Sequence, residues 1–352
     1  MTATPTTAAM KSIAFFNNKG GVGKTSLVYH LAWMYADHGL KVLVADLDPQ
    51  ANLTSMFLDE DRLVSLWSDD GEPRTIRDCL RPLMSRQGDI LEPVVERLQP
   101  TLGLIPGHLG LSRFEDLLSE NWPKCLDGQE AAFRVMTAFH RIILSGARQM
   151  DADLVLIDVG PNLGAINRAA LIAAEQVVLP LAPDLFSLQG MRNLGPTLRE
   201  WRKGWHKRAE ELPQGAAIEM PSGAMQPAGY VVMQHSVRES RPVKAYQAWV
   251  DRVPLVYRES VLGEAVTRSS DSGGLDASGL PIPEPADDPY MLALLRHYRS
   301  LMPMAMDAHK PMFFLKPADG AIGSHIDAVR ACYKDFEALA RKIAANAGVT
   351  MG

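Results

Sequence analysis

The sequence is poor in cysteine, and its three cysteines, Cys79, Cys125 and Cys332, lie far apart. No C-x-x-C pair occurs, so a thiolate metal site, a thioredoxin-like redox motif and a disulfide framework all lose support. No apolar run approaches the roughly 18 residues that a membrane span needs. The first ten residues have neither the basic segment nor the long apolar segment of a signal peptide. These absences lead us to expect a protein of the reducing cytoplasm.

The sequence also lacks an excess of positive charge. Lys and Arg number 36 against 41 Asp and Glu, which gives a net charge of -5. A basic tail that coats nucleic acid is therefore excluded, although a local basic face is not. Of the 352 residues, 47% are hydrophobic and 22% are charged, and this ordinary globular composition excludes wholesale disorder.

Apolar runs alternate between strand and helix spacing along much of the chain. A run at 11–18 is followed by a glycine cluster, a helical pattern at 27–39 and a second run at 41–48. This strand–loop–helix–strand order is a βαβ unit, which implies a parallel sheet. Similar segments follow at 101–107, 133–150, 153–160, 165–175, 176–183, 188–205, 228–235, 243–253 and 325–348. The predicted fold is α/β, with a doubly wound, mostly parallel sheet flanked by helices. Pro196 predicts a kink or break in the helix that contains it. A short strand or extended segment is predicted at 311–317.

Three segments depart from this alternation. Residues 1–10 are small and polar and are expected to form a flexible tail. Residues 57–100 are polar and contain several prolines, which predicts an inserted helical or loop region. Residues 263–289 are rich in Gly, Ser, Pro and Asp, which predicts a mobile surface loop. No internal repeat or separate helix-turn-helix module is visible, so we expect 11–352 to form a single domain with these two insertions.

Residues 19–25 read Lys-Gly-Gly-Val-Gly-Lys-Thr and lie between a predicted strand and a predicted helix. The three glycines let the backbone turn tightly, so that successive N–H groups can face phosphate oxygens. Lys24 supplies a mobile charge for the β- and γ-phosphates, and Thr25 supplies a hydroxyl for Mg²⁺. A glycine-rich string can also be an ordinary turn, but the flanking strand, helix and Lys-Thr pair favour a phosphate loop.

The usual phosphate-loop pattern has glycine where this chain has Asn18, and an extra lysine, Lys19, begins the loop. This arrangement resembles the deviant phosphate loop of the ParA/MinD group of ATPases. In that group the first lysine reaches across a nucleotide-sandwich dimer to the phosphates of the partner subunit. The resemblance therefore implies an ATP-dependent homodimer that uses ATP and Mg²⁺.

Two further motifs carry the resemblance. The segment 42–54, VLVADLDPQANLT, is similar to the group's second motif, in which Asp48 would position the attacking water and touch the magnesium shell, and Asp46 would support it. The segment 154–164, LVLIDVGPNLG, resembles the Walker B strand, and the resemblance makes Asp158 a metal-binding residue. The family usually has D-x-P-P there, whereas this chain has glycine at position 160.

The resemblance implies a complete set of site residues. Pro183, Met233 and Gln234 would lie near the adenine. Catalytic roles would fall to Lys19, Lys24 and Asp48, and metal binding to Thr25, Asp48 and Asp158. The expected ATP-binding residues are Lys19, Gly20, Gly21, Val22, Gly23, Lys24, Thr25, Ser26, Pro183, Met233 and Gln234.

The ParA branch implies an ATPase that segregates or positions DNA or a cargo complex, binds DNA without sequence preference and answers to a ParB-like or other stimulating partner. A basic segment at 192–208 with two tryptophans fits such a DNA face. It could equally be a solvated helix face with ordinary ion pairs. The DNA-binding candidates are Arg199, Arg202, Lys203, Lys207, Arg208, Arg238 and Arg241.

Several alternatives share the same loop. A MinD-like positioning ATPase would need a membrane-binding C-terminal helix, but the apolar stripe at 325–348 is more simply a face packed on the sheet. A metal-cluster carrier would need paired cysteines, which are missing, and an ATP-dependent ligase remains open. Service to conjugation, defence or another protein complex also remains open. We expect a cytoplasmic protein without a stable membrane anchor, and association with the nucleoid remains open.

Overall fold

The structure, a computed structural model, describes residues 11–68, 74–233, 243–269, 273–298 and 300–352. Its strands are β1 (Ser12–Phe15), β2 (Val42–Asp46), β3 (Glu96–Gln99), β4 (Leu102–Ile105), β5 (Leu154–Asp158), β6 (Gln176–Leu181), β7 (Gln226–Met233), β8 (Thr267–Arg268), β9 (Gly274–Leu275) and β10 (Met291–Leu295). The main sheet has eight strands in the order β10-β7-β6-β1-β5-β2-β4-β3. Adjacent strands in this sheet run parallel, except that β3 pairs antiparallel with β4. Strands β8 and β9 form a separate antiparallel pair.

Helices cover both faces of this sheet. They are α1 (Lys24–Asp37), α2 (Asn52–Phe57), α3 (Glu60–Trp67), α4 (Ile76–Met84), α5 (Phe114–Lys124), α6 (Glu130–Met136), α7 (Ala138–Met150), α8 (Ala165–Ile172), α9 (Leu185–Ala209), α10 (Val243–Val250), α11 (Val253–Val256), α12 (Leu301–Asp307) and α13 (Ser324–Ala347). One hydrophobic cluster holds α1, α12 and α13 against the sheet, and the other holds α4 to α9. The doubly wound, mostly parallel α/β fold is therefore confirmed.

The central strands are apolar throughout because both of their faces are covered. In β1, Ile13 and Phe15 pack in the cluster that contains α1, and Ala14 and the following Phe16 pack in the opposite cluster. This alternation follows from the two-residue period of a strand. Parallel pairing of β5 with both β1 and β2 places the carboxyl ends of the three strands side by side, so the loops that follow them share one edge of the sheet.

The closing helix has the expected role. The helical pattern at 325–348 corresponds to α13, whose side chains Phe336, Leu339 and Ile343 are buried against α1 and the sheet. The apolar stripe of this helix is therefore a packing face. Within the described ranges, no helix has both the length and the apolarity that crossing a bilayer requires.

The expected break at Pro196 does not occur. Helix α9 runs unbroken for 25 residues through this proline. The proline ring is exposed, while Leu194 and Leu198 on either side are buried in the core. Packing of the apolar side chains thus holds the helix together despite the missing N–H of the proline.

Other segments also differ from the sequence-based expectations. At 311–317 the backbone is extended at Pro311 and Leu315, but a short 3-10 turn, Met312–Phe314, lies between them in place of a strand, and Phe313 in this turn is buried among aromatic rings. The pattern at 133–150 is divided into α6 and α7. The inserted region at 57–100 contains α3 and α4 as well as β3, and the described part of 263–289 contains the β8–β9 pair. Strand β10 was not expected, since it follows a segment rich in proline and glycine.

Candidate nucleotide-binding site

The phosphate loop connects β1 to α1, as predicted. Gly23 caps the start of α1 with φ of 85° and ψ of 17°, a left-handed conformation that glycine adopts without a steric penalty. The amide of Leu27 donates to the carbonyl oxygen of Gly23 over 2.9 Å and closes the first helical turn. The first N–H groups of α1 have no partner within the helix, so this end of the helix favours an anion such as phosphate. Val22 is buried, and Gly20 and Gly21 are exposed.

Lys24, Thr25 and Asp158 meet at the start of α1. The Lys24 Nζ donates to Asp158 Oδ1 over 2.5 Å, and the Thr25 hydroxyl donates to Asp158 Oδ2 over 2.8 Å. Asp158 is fully buried and Lys24 is 7% exposed. A buried charge is tolerated when it is paired and hydrogen-bonded, and Asp158 meets both conditions. The structure thus brings together the three side chains that the sequence assigned to phosphate and magnesium.

Two more carboxylates, Asp46 and Asp48, lie near Lys24 and Asp158. Asp46 is the register neighbour of Asp158 in the β2–β5 pairing and is also fully buried, while Asp48 is 5% exposed. Burial, reinforced by the nearby charge of Asp158, raises the pKa of Asp46 to about 7. Burial also raises the pKa of Asp158, an effect that the Lys24 ammonium opposes. Asp46 and Asp158 are therefore harder to ionise than ordinary carboxyl groups.

The donor set fits a magnesium ion. Asp48, Asp158 and the Thr25 hydroxyl supply the hard oxygen ligands that Mg²⁺ prefers. Lys24 is the single buried lysine of the described residues, so three buried carboxylates share one buried ammonium. A divalent cation would offset the remaining negative charge, and the start of α1 would accept the phosphates that accompany it.

Thr54 and Gly107, which sequence reasoning missed, hold Asp46 in place. The Thr54 amide and hydroxyl donate to Asp46 Oδ2 over 2.8 and 2.7 Å, and the same hydroxyl accepts the amide of Gly107 over 2.8 Å. A Cβ on Gly107 would lie 2.8 Å from Asp46 Cγ, so only glycine allows this approach. The indole of Trp67, from the inserted region, donates to the Gly107 carbonyl oxygen over 3.2 Å. Thr54 ends the second motif, and that position was the one available signal.

The departure at Gly160 from the D-x-P-P pattern also has a structural explanation. The Gly160 N–H donates to Asn167 Oδ1 over 3.1 Å, a bond that proline could not make. Asn167 lies in α8 and is 1% exposed. It was missed as well, although a lone asparagine on an otherwise apolar helix face is a recognisable signal.

Lys19 is held within its own chain. Its Nζ lies 2.5 Å from Asp184 Oδ2, and the Phe186 ring lies 5.7 Å from the same nitrogen. Burial alone would raise the pKa of Asp184, but hydrogen bonds from Lys19 and Ser187 hold it below its usual value. Asp184 also caps α9 by accepting the Ser187 amide over 2.8 Å. About a third of the Lys19 side chain is exposed.

The candidates for adenine contact are placed only in part. Pro183 is half-buried at the end of the β6 loop. Met233 ends β7 near the phosphate loop, since a Cβ on Gly23 would lie 3.1 Å from Met233 Cε. Gln234 lies outside the described residues. Ser26 is half-buried, with its hydroxyl 3.4 Å from His30 Nδ1.

Most of the described candidates for DNA binding are engaged within the protein. Arg208 is buried, and its guanidinium donates to the carbonyl oxygens of Trp122 and Gly204 over 2.7 and 2.8 Å. Arg199 donates to the Ser260 carbonyl oxygen and Arg202 to that of Met225. These arginines thus serve the packing of α9. The remaining described candidates, Lys203 and Lys207, are exposed, while Arg238 and Arg241 lie outside the described residues.

The fold and this geometry define a P-loop nucleotide-binding protein of the α/β class. A family model described as an AAA domain matches residues 10–210. The chromosome-partitioning ATPase Soj of Thermus thermophilus is 34% identical over 216 residues, which cover 61% of this chain and 72% of that protein. The chain therefore belongs to the ParA-like P-loop ATPases.

Two further proteins resemble this chain. The uncharacterized protein MJECL24 of Methanocaldococcus jannaschii is 29% identical over 191 residues, covering 54% of this chain and 66% of that protein, just under two thirds of its length. The structure of a Cyanothece McdA variant in complex with ATP matches with a TM-score of 0.60 and 16% identity, and 97% of each chain is covered. At that identity the match concerns the fold alone.

The contacts of Thr54 generate a stability prediction. Replacing Thr54 by valine keeps the shape of the side chain but leaves Asp46 and the Gly107 amide with one partner fewer each. We expect the free energy of unfolding to fall by about 1–3 kcal/mol for each group left unsatisfied. The Thr54→Ser protein retains the hydroxyl and is the matched control. Urea denaturation measures both, and equal unfolding midpoints for the valine and serine variants would contradict the assigned role of Thr54.

Proposed function

We propose that this chain hydrolyses Mg·ATP and acts as an ATP-dependent homodimer that binds DNA non-specifically to segregate DNA or to position a cargo complex. The observation that carries the proposal is the cluster of Lys24, Thr25 and Asp158 at the start of α1, with Asp48 beside it. Hydrolysis of ATP is what we expect of a ParA-like ATPase. The proposed dimer depends on exposed apolar side chains at one edge of the sheet, and the proposed DNA binding depends on lysines of α9.

The chemistry follows from what each side chain can do. When bound, Mg·ATP supplies the γ-phosphoryl group and the cation that offsets its charge. Thr25 and Asp158 would hold the cation, which releases Lys24 from Asp158 to neutralise the β- and γ-phosphate oxygens. Asp48 accepts the Gln50 amide over 3.0 Å through Oδ1, which fixes the carboxylate to orient a water molecule for in-line attack.

Exposed apolar side chains around the site support a second copy as the partner. Leu109, Leu163 and Phe186 follow β4, β5 and β6, and the carboxyl ends of these strands lie on the same edge as the phosphate loop. Phe186 is 73% exposed and adjoins Lys19. A twofold dimer across this edge would cover these side chains and would let Lys19 exchange Asp184 for the phosphates bound by the partner.

The support for DNA binding is narrower. Lys203 and Lys207 are spaced four residues apart on α9, so they project from the same face of the helix. Both are exposed, and so is Arg192, which lies earlier on the same helix. Mobile cations on one face suit contacts to the phosphate backbone, which need no particular base sequence. A ParB-like or other protein that stimulates hydrolysis remains part of the proposal.

Two substitutions separate nucleotide binding from hydrolysis. Lys24→Ala removes the phosphate-binding ammonium and leaves Asp158 unpaired, so isothermal titration calorimetry should detect no binding of Mg·ATP. Asp48→Ala leaves the phosphate loop intact, so binding should persist while phosphate release stops. Lys334→Ala, on the exposed side of α13, is the control for both measurements. Normal hydrolysis by the Asp48→Ala protein would remove the water-orienting role from Asp48.

The dimer is tested by light scattering coupled to gel filtration. We expect the mass of the wild-type protein to double with Mg·ATP, because the second copy covers the apolar edge and supplies Lys19. The Lys19→Ala protein should bind Mg·ATP and stay monomeric. A monomeric mass for the wild type at saturating nucleotide, or an unchanged dimer in the variant, would each contradict the proposed part of Lys19.

Salt dependence tests the DNA face. Fluorescence anisotropy with a random-sequence duplex should give an affinity for the ATP-bound protein that falls steeply with salt. Replacing Lys203 and Lys207 together by alanine should lower the slope of log affinity against log salt by about 2, one for each lost phosphate contact. The paired control is Lys334→Ala with Lys342→Ala on α13. A slope that the α9 pair leaves unchanged would exclude this face.

A further inference from the structure

The loop after β5 is held by the side chain of one residue, Asn167. Its Oδ1 accepts the Gly160 N–H over 3.1 Å, and its Nδ2 donates to the carbonyl oxygens of Gly160 and Asn162 over 2.8 and 2.7 Å. The same Nδ2 lies 3.1 Å from Asn162 Oδ1. One buried amide thus satisfies both backbone groups of Gly160 and ties down the turn that follows.

The helix that carries Asn167 is itself anchored. Asn167 is the third residue of α8, and the first two, Ala165 and Ile166, donate their amides to the Glu115 carboxylate over 2.5 and 2.8 Å. Glu115 belongs to α5, which packs against α8. A carboxylate at the start of a helix stabilises it through its unpaired N–H groups. Asn167 therefore reaches the loop from a fixed position.

The clamped loop lies directly beside Asp48. A Cβ on Gly160 would be 3.3 Å from Asp48 Oδ1, so the backbone of Gly160 lies next to that carboxylate with no side chain between them. The Leu47 amide donates to the Asp158 carbonyl oxygen over 2.9 Å and joins the two strand ends at the same point. Any shift of Gly160 would change the space that the Asp48 carboxylate occupies.

We propose that Asn167 is a positioning residue for ATP hydrolysis: its side-chain amide clamps Gly160 and Asn162 and thereby fixes the backbone next to the Asp48 carboxylate. The inference depends on the hydrolysis proposed above. A side-chain amide suits this task because it offers an acceptor to the Gly160 N–H and a donor to the Gly160 carbonyl oxygen. The clamp acts on the geometry of the reaction rather than on nucleotide affinity, since its contacts are with the loop.

The test separates the rate of hydrolysis from affinity. In single-turnover assays with excess protein and labelled ATP, Asn167→Ala should lower the hydrolysis rate at least about 10-fold, as expected when a reacting group is misplaced. The dissociation constant for Mg²⁺ and a non-hydrolysable ATP analogue should stay within about 3-fold of wild type. Asn121→Ala also removes a buried side-chain amide, one that bonds to the Leu117 carbonyl oxygen inside α5, and should leave both values unchanged.

A second variant reaches Asp48 by a different route. Gly160→Ala keeps the N–H that Asn167 accepts but presses a methyl group towards Asp48, so it too should slow hydrolysis while the nucleotide still binds. In the double variant the loosened loop can move away from Asp48, so the combined loss should be smaller than the product of the two single losses. Simple multiplication of the two losses would overturn the proposal.

The remaining outcomes are distinct from one another. If the wild type hydrolyses ATP and Asn167→Ala does so at the same rate while melting at a lower temperature, the clamp is only structural and the proposal falls, while the proposed ATPase stands. If Asn167→Ala loses rate and analogue binding in the same proportion, the clamp acts on affinity and the proposal is likewise wrong. If the wild type neither binds nor hydrolyses ATP, the proposed function fails first, and the clamp fails with it.

Discussion

The placement of two buried carboxylates side by side is the constraint on which the rest of the structure depends. Asp46 and Asp158 are paired in register on adjacent parallel strands, and neither is exposed to water. Such a pair resists ionisation unless cations or hydrogen-bond donors face it. Lys24 provides the cation for Asp158, and Thr54 provides two donors for Asp46. Lys24 is the single buried lysine among the described residues, so these two carboxylates and the buried Asp48 outnumber it.

The same constraint explains why small residues surround the carboxylates. Gly107 and Gly160 approach Asp46 and Asp48 so closely that a methyl group would meet the carboxylate at 2.8 and 3.3 Å. Because glycine has no side chain, it leaves room for the acidic groups at both positions. The Gly107 amide donates to Thr54, and the Gly160 amide donates to Asn167. The Trp67 indole donates to the Gly107 carbonyl oxygen, so the region 57–100, distant from the phosphate loop in sequence, contacts the residues that hold Asp46.

The parts of the molecule that sequence could predict are local in the chain. The phosphate loop lies within seven consecutive residues, 19–25, and the alternation of apolar runs predicts the parallel sheet that presents it. Asp48 and Asp158 were predicted as site residues because Asp158 ends an apolar strand and Asp48 follows one, and such strand ends lie on the edge where open α/β sheets bind ligands. Thr54, Gly107 and Asn167 act through neighbours that only folding brings together, and no spacing rule links their positions.

The density of basic residues along a helix predicted surface exposure less well than the glycine-rich motif predicted the position of the phosphate loop. The arginines of α9 are frequent enough to suggest a solvent-facing basic surface, yet Arg208 stacks 3.7 Å from the Trp122 ring and is buried. Sequence patterns cannot distinguish an exposed arginine from one whose donors satisfy carbonyl oxygens of a neighbouring element. Pro196 was misjudged for a related reason, because the apolar side chains around it determine whether the helix continues.

Helix α9 is a continuous element that joins two distant regions. Its cap, Asp184, holds Lys19 of the phosphate loop, and Lys207 lies 22 residues beyond Leu185, about 33 Å along an α-helix. A tilt of about five degrees at the capped end would displace the far end by about 3 Å, a distance comparable with the length of a hydrogen bond. Because the helix continues through Pro196, one element joins the cap beside Lys19 to Lys203 and Lys207 near its far end.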